Sequence, residues 1–344
     1  MTRSWKSLTV AFVACLALLG LDSHNAEAAS STKSTPTAKK KAQSATKQKV
    51  PQRKAKTATG TRKPSSKPRQ GQGASAGLRS VSNVVQLPAL GSAAVLVKDL
   101  ETGMPLLEKD GDRPRPIASI TKLMTAMVVL DAQQPLDEIV EVTDADVDRI
   151  KFSSSRLAVG AKLTRRQLLR LALMSSENRA AHALARTYPG GVQAFVKAMN
   201  LKAQRLQLYR TRFADPTGLS PRNIASPQDL ATMVAAAAAY PTISELSTDA
   251  EESLRVARKE RLYRNTNPLV KYERWDIAVS KTGYIREAGR CLVMQALINN
   301  RQTLIVLLDG KSSATRVRDA QSIKQWLEHV DPVAESSNAH SRPV

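Results

Sequence analysis

Segments with strand character stand near both ends of residues 93–330, and segments with helix character fill the middle. Ala93 to Leu100 (AAVLVKDL) reads as a buried strand, and Glu101-Thr102-Gly103 as a turn into a second strand through Leu107. Ile277 to Ile285, Cys291 to Ile298 and Thr303 to Leu308 read as three further strands joined by tight turns. A helix from Ala314 to Val330 follows, ending in Trp326 and Leu327. Between these groups, IASITKLMTAMVVLDA (117–132), Leu163 to Met174, Ala180 to Tyr188, Val192 to Leu208 and Pro227 to Tyr240 carry helical apolar spacing. That order predicts an α/β (α+β) fold. One antiparallel sheet is built from both chain ends and flanked by helices, with a largely helical subdomain inserted in the middle. No internal repeat is visible.

Upstream of this region the composition changes. Residues 30–77 hold 13 Lys or Arg and no Asp or Glu, and Val50 is their only large aliphatic. Such a stretch buries too little apolar surface to offset its ordering entropy, so 29–77 is expected to be a disordered basic linker. The first 28 residues have the pattern of an export signal: Arg3 and Lys6, an apolar run from Leu8 to Leu21, then Ala26-Glu27-Ala28. The run is 14 residues, short for a membrane span. Phe12-Val13-Ala14 before Cys15 is a poor lipidation signal. Of the net charge of +22, the linker holds more than half, leaving a moderately basic body from Leu78.

Ala38-Lys39-Lys40-Lys41-Ala42 has the charge of a nucleic-acid tail, but export argues against nucleic acid. Anionic wall polymer or a membrane surface is the expected electrostatic partner, with a plain solvated spacer as the alternative. Signal removal leaves Cys291 as the single cysteine, which forms no internal disulfide and is expected to pack as a small apolar residue.

Three short motifs carry the chemistry: Ser119-Ile120-Thr121-Lys122, Ser176-Glu177-Asn178 and Lys281-Thr282-Gly283. Three apart on a helix, Ser119 and Lys122 share a face. A serine hydroxyl needs a base, and a lysine whose pKa is lowered by burial can be one at neutral pH. Of four His, His24 leaves with the signal, His329 and His340 lie near the C-terminus and His182 is mid-helix, so a Ser-His-Asp triad is poorly supported. The opening turn of the helix puts positive potential at Ser119. Ser176 and Asn178 fall between two helices, where a hydroxyl can relay a proton and an amide can grip a peptide bond. Lys281-Thr282-Gly283 lies in a strand running into Tyr284. On an edge, that strand can pair with an extended peptide, Lys281 giving a fixed positive charge, Thr282 a hydroxyl and Gly283 close approach. Phe152-Ser153-Ser154-Ser155-Arg156 reads as a loop near the cleft, with Arg156 a candidate substrate contact.

The motifs match, in order and separation, the S-x-x-K, S-x-N and K-T-G set of active-site serine penicillin-binding proteins and β-lactamases. With MSSENRAAHALARTYPGG (174–191), RFADPTGLS (212–220), YRNTNPLV (263–270) and KTGYIREAGRCLVMQALINN (281–300), residues 80–330 resemble the low-molecular-mass penicillin-binding proteins of the D-alanyl-D-alanine carboxypeptidase/endopeptidase type. Within that family the endopeptidases are the more similar. The resemblance implies Ser119 as acylated nucleophile, Lys122 as general base and Ser176 as proton relay. It implies Asn178, Lys281 and Thr282 as substrate-binding residues, with Gly283 beside them and the N–H groups of Ser119 and Tyr284 as oxyanion hole. Peptidoglycan stem peptides would be substrates and β-lactams covalent inhibitors, in the periplasm, with no metal and no cofactor.

Three alternatives remain at this point. A carboxypeptidase would use the same machinery to trim pentapeptides. Against it, only about 14 polar residues follow Val330, with no second domain or amphipathic anchor of the kind many carboxypeptidases carry. A class A β-lactamase would need a Glu for deacylation in a loop after the second motif, and between Asn178 and Ser244 there is none. A non-catalytic wall-binding protein would keep the fold without a competent nucleophile.

Overall fold

The strands nearest the centre of the sheet are apolar on both faces, which is why they read as unbroken hydrophobic runs. In the computed structural model, which describes residues 87–256 and 258–330, Val95, Val97, Ile305 and Leu307 pack into one core with Ala320, Ile323 and Leu327. Ala94, Leu96, Leu304, Val306 and Leu308 point the other way, into a larger core. Side chains alternate along a strand, so a sheet covered on both faces shows no polar interruption.

In chain order the elements begin with β1 (Ala94–Asp99), β2 (Pro105–Lys109), β3 (Arg115–Pro116), α1 (Thr121–Asp131), β4 (Ile139–Glu141) and β5 (Lys162–Thr164). Then come α2 (Arg165–Leu173), α3 (Asn178–Arg186), α4 (Gly191–Arg205), β6 (Ile224–Ala225), α5 (Pro227–Ala238) and α6 (Pro241–Thr248). The hairpin β7 (Glu251–Val256) and β8 (Lys259–Arg264) precedes β9 (Asp276–Ile285), β10 (Gly289–Ile298), β11 (Arg301–Gly310) and α7 (Ser313–Val330).

The main sheet has the order β2-β1-β11-β10-β9, antiparallel throughout. The first and last strands of the chain are thus neighbours, as the arrangement of strand and helix segments predicts, and β9 is an edge. The described residues place α1 to α6 between the two groups of strands. Strands β3 and β6, β4 and β5, and β7 and β8 form separate two-stranded ladders.

Helix α1 is buried continuously from Thr121 to Val129. A helix apolar on all sides belongs inside the fold, and this one carries Lys122 into the interior. Helix α5 begins at Pro227 behind Ser226, whose Oγ accepts from Asp229 N at 3.1 Å, a favourable cap with Pro at the first position.

The structure corrects three details. The helix expected from Leu163 starts at Arg165, because Thr164 caps it: Thr164 Oγ1 accepts from Gln167 N and Gln167 Oε1 accepts from Thr164 N. Lys162–Thr164 pairs with β4 instead. Ser119 sits in a 3₁₀ turn, Ala118–Ile120, that leads into α1, instead of in the α-helix itself. Helix α6 and the β7–β8 hairpin were not anticipated. The expected export signal, basic linker and C-terminal tail (331–344) lie outside the described residues. Among the described residues no helix is long and apolar enough to cross a membrane.

Candidate active site

The 3₁₀ turn that holds Ser119 is fixed by two glycines. A β-carbon on Gly283 would lie 2.9 Å from Ile117 O and 3.1 Å from Ser119 N. Gly218, at φ +86°, lies against the Ala118 carbonyl. Ala118 and Ser176 themselves have φ of 49° and 61°, left-handed values that L side chains adopt at a cost. Strain of this kind collects where surrounding structure must hold a geometry.

Lys122 is fully buried one turn into the fold from Ser119. Its Nζ lies 2.8 Å from Ser119 Oγ, 2.8 Å from Asn178 Oδ1 and 2.7 Å from Thr217 O. Two of these partners are carbonyl oxygens, which only accept; the Ser119 hydroxyl can also donate. A neutral amine has two N–H groups and one lone pair. As an ammonium Lys122 donates to all three oxygens; once neutral it can donate to both carbonyls and accept from Ser119. Burial lowers the Lys122 pKa to about 7, against the opposing negative charges of Asp215, Glu177 and Asp148.

The Thr217 carbonyl is held in place by Asp215. One Asp215 oxygen accepts from Thr217 N at 2.6 Å, Thr217 Oγ1 at 2.5 Å and Gly218 N at 2.9 Å, and the other from Ser220 N at 2.9 Å. Asn223 Nδ2 donates to Thr121 Oγ1 and Asp215 O, tying the loop to the start of α1.

Lys281 is buried on β9, and its Nζ donates to Ser176 Oγ at 2.9 Å and Thr282 O at 3.1 Å. The charge expected at Lys281 sits in surroundings that disfavour it. Burial, then Lys122, then Arg316, push its pKa well down. Arg316 on α7 donates to Cys291 O at 3.2 Å and Thr266 O at 3.4 Å; burial lowers its pKa to about 10, so it remains a cation near neutral pH. Thr282 Oγ1 donates to Thr266 Oγ1 at 2.7 Å beside it.

A cleft of about 670 Å³ runs between these elements. Ser119, Ser176, Asn178, Thr282, Gly283 and Tyr284 line it, and Lys122 and Lys281 lie beneath, bonded to two of the lining serines. The structure therefore gathers every residue that the three motifs singled out. Tyr284 forms part of the rim, its ring 3.6 Å from the Arg290 guanidinium.

Arg156 brings a correction. Its guanidinium packs 4.7 Å over the Tyr263 ring and donates to Leu262 O, holding the β7–β8 hairpin instead of lining the cleft. Ser153 and Lys151 of the same loop line it, as do Thr266 and Arg316. These four went unassigned because no spacing rule links them to the motifs. His182 is bonded to Asp146 at 2.8 Å, and Cys291 is fully buried with its thiol pushed up to about 11 by desolvation, in keeping with an apolar role. Among the described residues no three His, Cys, Asp or Glu side chains gather as a metal site.

Residues 81–312 match the family described as D-alanyl-D-alanine carboxypeptidase. The chain belongs to that family. It is a serine-type DD-peptidase with a penicillin-binding-protein fold. Two relatives in the family bear the name D-alanyl-D-alanine endopeptidase. The one from Pseudomonas aeruginosa is 45% identical over 241 residues, covering 70% of this chain and 78% of its own. The one from Escherichia coli is 43% identical over 243 residues, with the same coverage. The solved DD-transpeptidase of Streptomyces K15 is 29% identical, with a TM-score of 0.65 over 70% of this chain and 98% of that chain.

Proposed function

We propose that the protein is a D-alanyl-D-alanine endopeptidase that opens cross-links between peptidoglycan stem peptides through an acyl-enzyme on Ser119. The observation that carries this is the Lys122 amine, buried and held by two carbonyls with its remaining site turned to Ser119 Oγ. In this reading Lys122 takes the Ser119 proton as Oγ attacks the D-alanyl carbonyl. The oxyanion forms between the N–H groups of Ser119 and Tyr284, each contributing about 3 kcal/mol in comparable sites. Ser176, bonded to Lys281, passes its proton to the departing amine, which leaves with its strand, and is reprotonated by the proton that Lys122 took from Ser119. Water then hydrolyses the ester and returns Ser119. Asn178 grips the substrate amide. Thr282 and Lys281, with Arg316 behind them, receive the carboxylate next to the scissile bond, and the edge of β9 pairs with the extended peptide.

Support for the endopeptidase comes from the relatives that carry this name at 38–45% identity, against 27–31% for relatives named carboxypeptidases. The carboxypeptidase reading keeps the second place, because the family description itself bears that name. A β-lactamase is disfavoured: the carboxylate of the loop after the second motif, Asp215, is already engaged by four donors. β-Lactams are therefore inhibitors that stall as acyl-enzymes. We also propose that residues 1–28, which read as an export signal, direct the enzyme to the periplasm, and that the basic 29–77 segment associates with an anionic wall or membrane surface.

The test incubates the purified protein and Ser119→Ala with cross-linked dimeric muropeptides and monomeric pentapeptides, with products followed by mass. Dimers falling to monomers only with the wild type support the proposal. Loss of only a terminal alanine from pentapeptides makes it a carboxypeptidase.

A further inference from the structure

Asn178 has to present its carbonyl oxygen, and not its NH2 group, to Lys122. The two ends of an amide have the same shape, so something else must choose between them. On the far side of the amide, Asn178 Nδ2 donates to Ser153 Oγ at 3.0 Å. A serine hydroxyl can donate or accept, and alone it would accept either orientation. Ser153 is not alone. Its hydroxyl donates to Asp148 Oδ2 at 2.6 Å, and its backbone N donates to the same oxygen at 2.8 Å. With its one hydrogen committed to a carboxylate, Ser153 Oγ can only accept, and only the NH2 end of Asn178 can face it.

Asp148 is itself held. Its other oxygen accepts from Ile150 N at 2.8 Å and Lys151 N at 3.0 Å, closing the turn from 148 to 153. A separate feature shows that this turn is over-determined: Phe152, bulky and 83% exposed, is kept at φ 54°. A chain of committed donors thus runs from Asp148 through Ser153 and Asn178 to Lys122 and Ser119.

We propose that Asp148 and Ser153 are positioning residues of the reaction, which fix the Asn178 amide with its oxygen toward Lys122 and so leave the amine's lone pair to Ser119. The inference rests on Lys122 being the base for Ser119, as proposed above. Without the lock, the amide can turn its NH2 end to Lys122, where it donates to the lone pair that Ser119 needs. The amine also loses an acceptor that favours its protonated form, so its titration moves to lower pH. The other charges around Lys122 stay in place: Lys281 from β9, Asp215 from the 212–220 loop and Glu177 at the start of α3.

The experiment measures the second-order rate of acylation by a fluorescent penicillin from pH 5.5 to 9, on the full chain. The variants are Ser153→Ala, Ser153→Thr and Asp148→Asn. Ser153→Ala removes the acceptor. Asp148→Asn can turn an NH2 toward Ser153, which releases the hydroxyl to donate. Both are expected to lower the plateau about tenfold or more, the scale of a misplaced catalytic group. Ser153→Ala is also expected to move the midpoint of the acid limb to lower pH, and Ser153→Thr, which keeps the hydroxyl, restores plateau and midpoint; Asp148→Asn is read on the plateau alone, because losing the Asp148 charge lowers the Lys122 midpoint by itself. A Ser153→Ala profile that overlays the wild type overturns the proposal. So does a lower plateau with an unmoved midpoint, which marks a merely structural effect. If Asp148→Asn fails to fold, the Ser153 pair decides alone. The labelled peptide from the wild type is sequenced by mass. A label elsewhere than Ser119 refutes the functional reading and this inference together, whereas a label on Ser119 with an indifferent Ser153→Ala refutes the inference only.

Discussion

Gly218 lies so close to Ala118 that a β-carbon at position 218 would sit 2.0 Å from the Ala118 carbonyl oxygen and 2.8 Å from Ser119 N. Both neighbours are backbone of the turn that presents Ser119, so neither can swing aside. Gly218 also has φ +86°, a conformation in which a side chain is strained without any neighbour. Gly218→Ala is therefore expected to lose roughly 3 kcal/mol of stability, the sum of a left-handed penalty and an overpacking penalty. Acylation should fall further than stability, because the displaced atoms belong to the nucleophile turn. Urea unfolding together with penicillin labelling checks this. A variant with wild-type labelling would show that the turn relaxes freely.

The lowered Lys122 pKa gives two pH effects. With Lys122 as the proposed base, acylation needs the neutral amine, so its rate should rise through about pH 7 and then level off. Stability follows from linkage. The unfolded lysine, at its ordinary value of 10.5, binds a proton that the folded one sheds near 7. Between these values the unfolded state holds more protons, and stability rises with pH. The penalty is complete below pH 7 and is relieved as pH climbs toward 10.5. Measured against Lys122→Met, which has no such proton, the wild type should gain up to about 3 kcal/mol between pH 7 and 9.5. Urea unfolding of both proteins at the two pH values tests it, and a constant difference would mean that Lys122 is not desolvated in the folded state.

How much of this was readable beforehand depends on what each residue answers to. Strands β1, β10 and β11 and helix α1 were legible because burial on all sides writes itself as uninterrupted apolar sequence. The β7–β8 hairpin was not. Its two six-residue strands hold seven charged residues, and only Leu254, Val256 and Tyr263 are buried. The helix start at Arg165 was displaced by a cap that is visible as Thr164-x-x-Gln167 once the boundary is known. In the site, residues whose chemistry demands fixed local spacing were found: Ser119 with Lys122, Ser176 with Asn178, Lys281 with Thr282. Arg316 was missed because α7 reads as an ordinary surface helix, and nothing local marks one of its arginines as buried at the cleft. Ser153 was seen only as loop, because its importance passes through Asn178, 25 residues away.

Arg316 leads to a third prediction. It lines the cleft next to Thr282 and Thr266, and burial lowers its pKa only to about 10, so it keeps its charge near neutral pH. Arg316→Leu should lower kcat/KM about 100-fold for a diacyl D-alanyl-D-alanine peptide with a free carboxylate, close to 3 kcal/mol for a charge-assisted hydrogen bond. A C-terminally amidated peptide should be poor with the wild type and hardly worse with the variant. Because Arg316 also bonds Cys291 O and Thr266 O, thermal unfolding is needed beside the kinetics. An equal loss for acid and amide would assign Arg316 to structure alone.

Asp215 supports Lys122, the proposed base, from the other side. It is buried and accepts four hydrogen bonds, three from the backbone N–H groups of Thr217, Gly218 and Ser220 and one from the Thr217 hydroxyl. Asp215→Asn exchanges one acceptor oxygen for an NH2 group. Whichever way the amide turns, at least one buried donor then faces another donor, at a cost of roughly 2–3 kcal/mol. For a domain of this size that is about 5–10 °C in melting temperature. The loop it unsettles carries Thr217 O, one of the two carbonyls that hold Lys122, so acylation at pH 7.5 should fall as well. Scanning calorimetry and penicillin labelling of the same preparation report both. Should Asp215→Asn melt within a degree of the wild type and label at full rate, the loop is held by Asn223 and the backbone alone, and the Lys122 amine does not depend on Asp215 for its position.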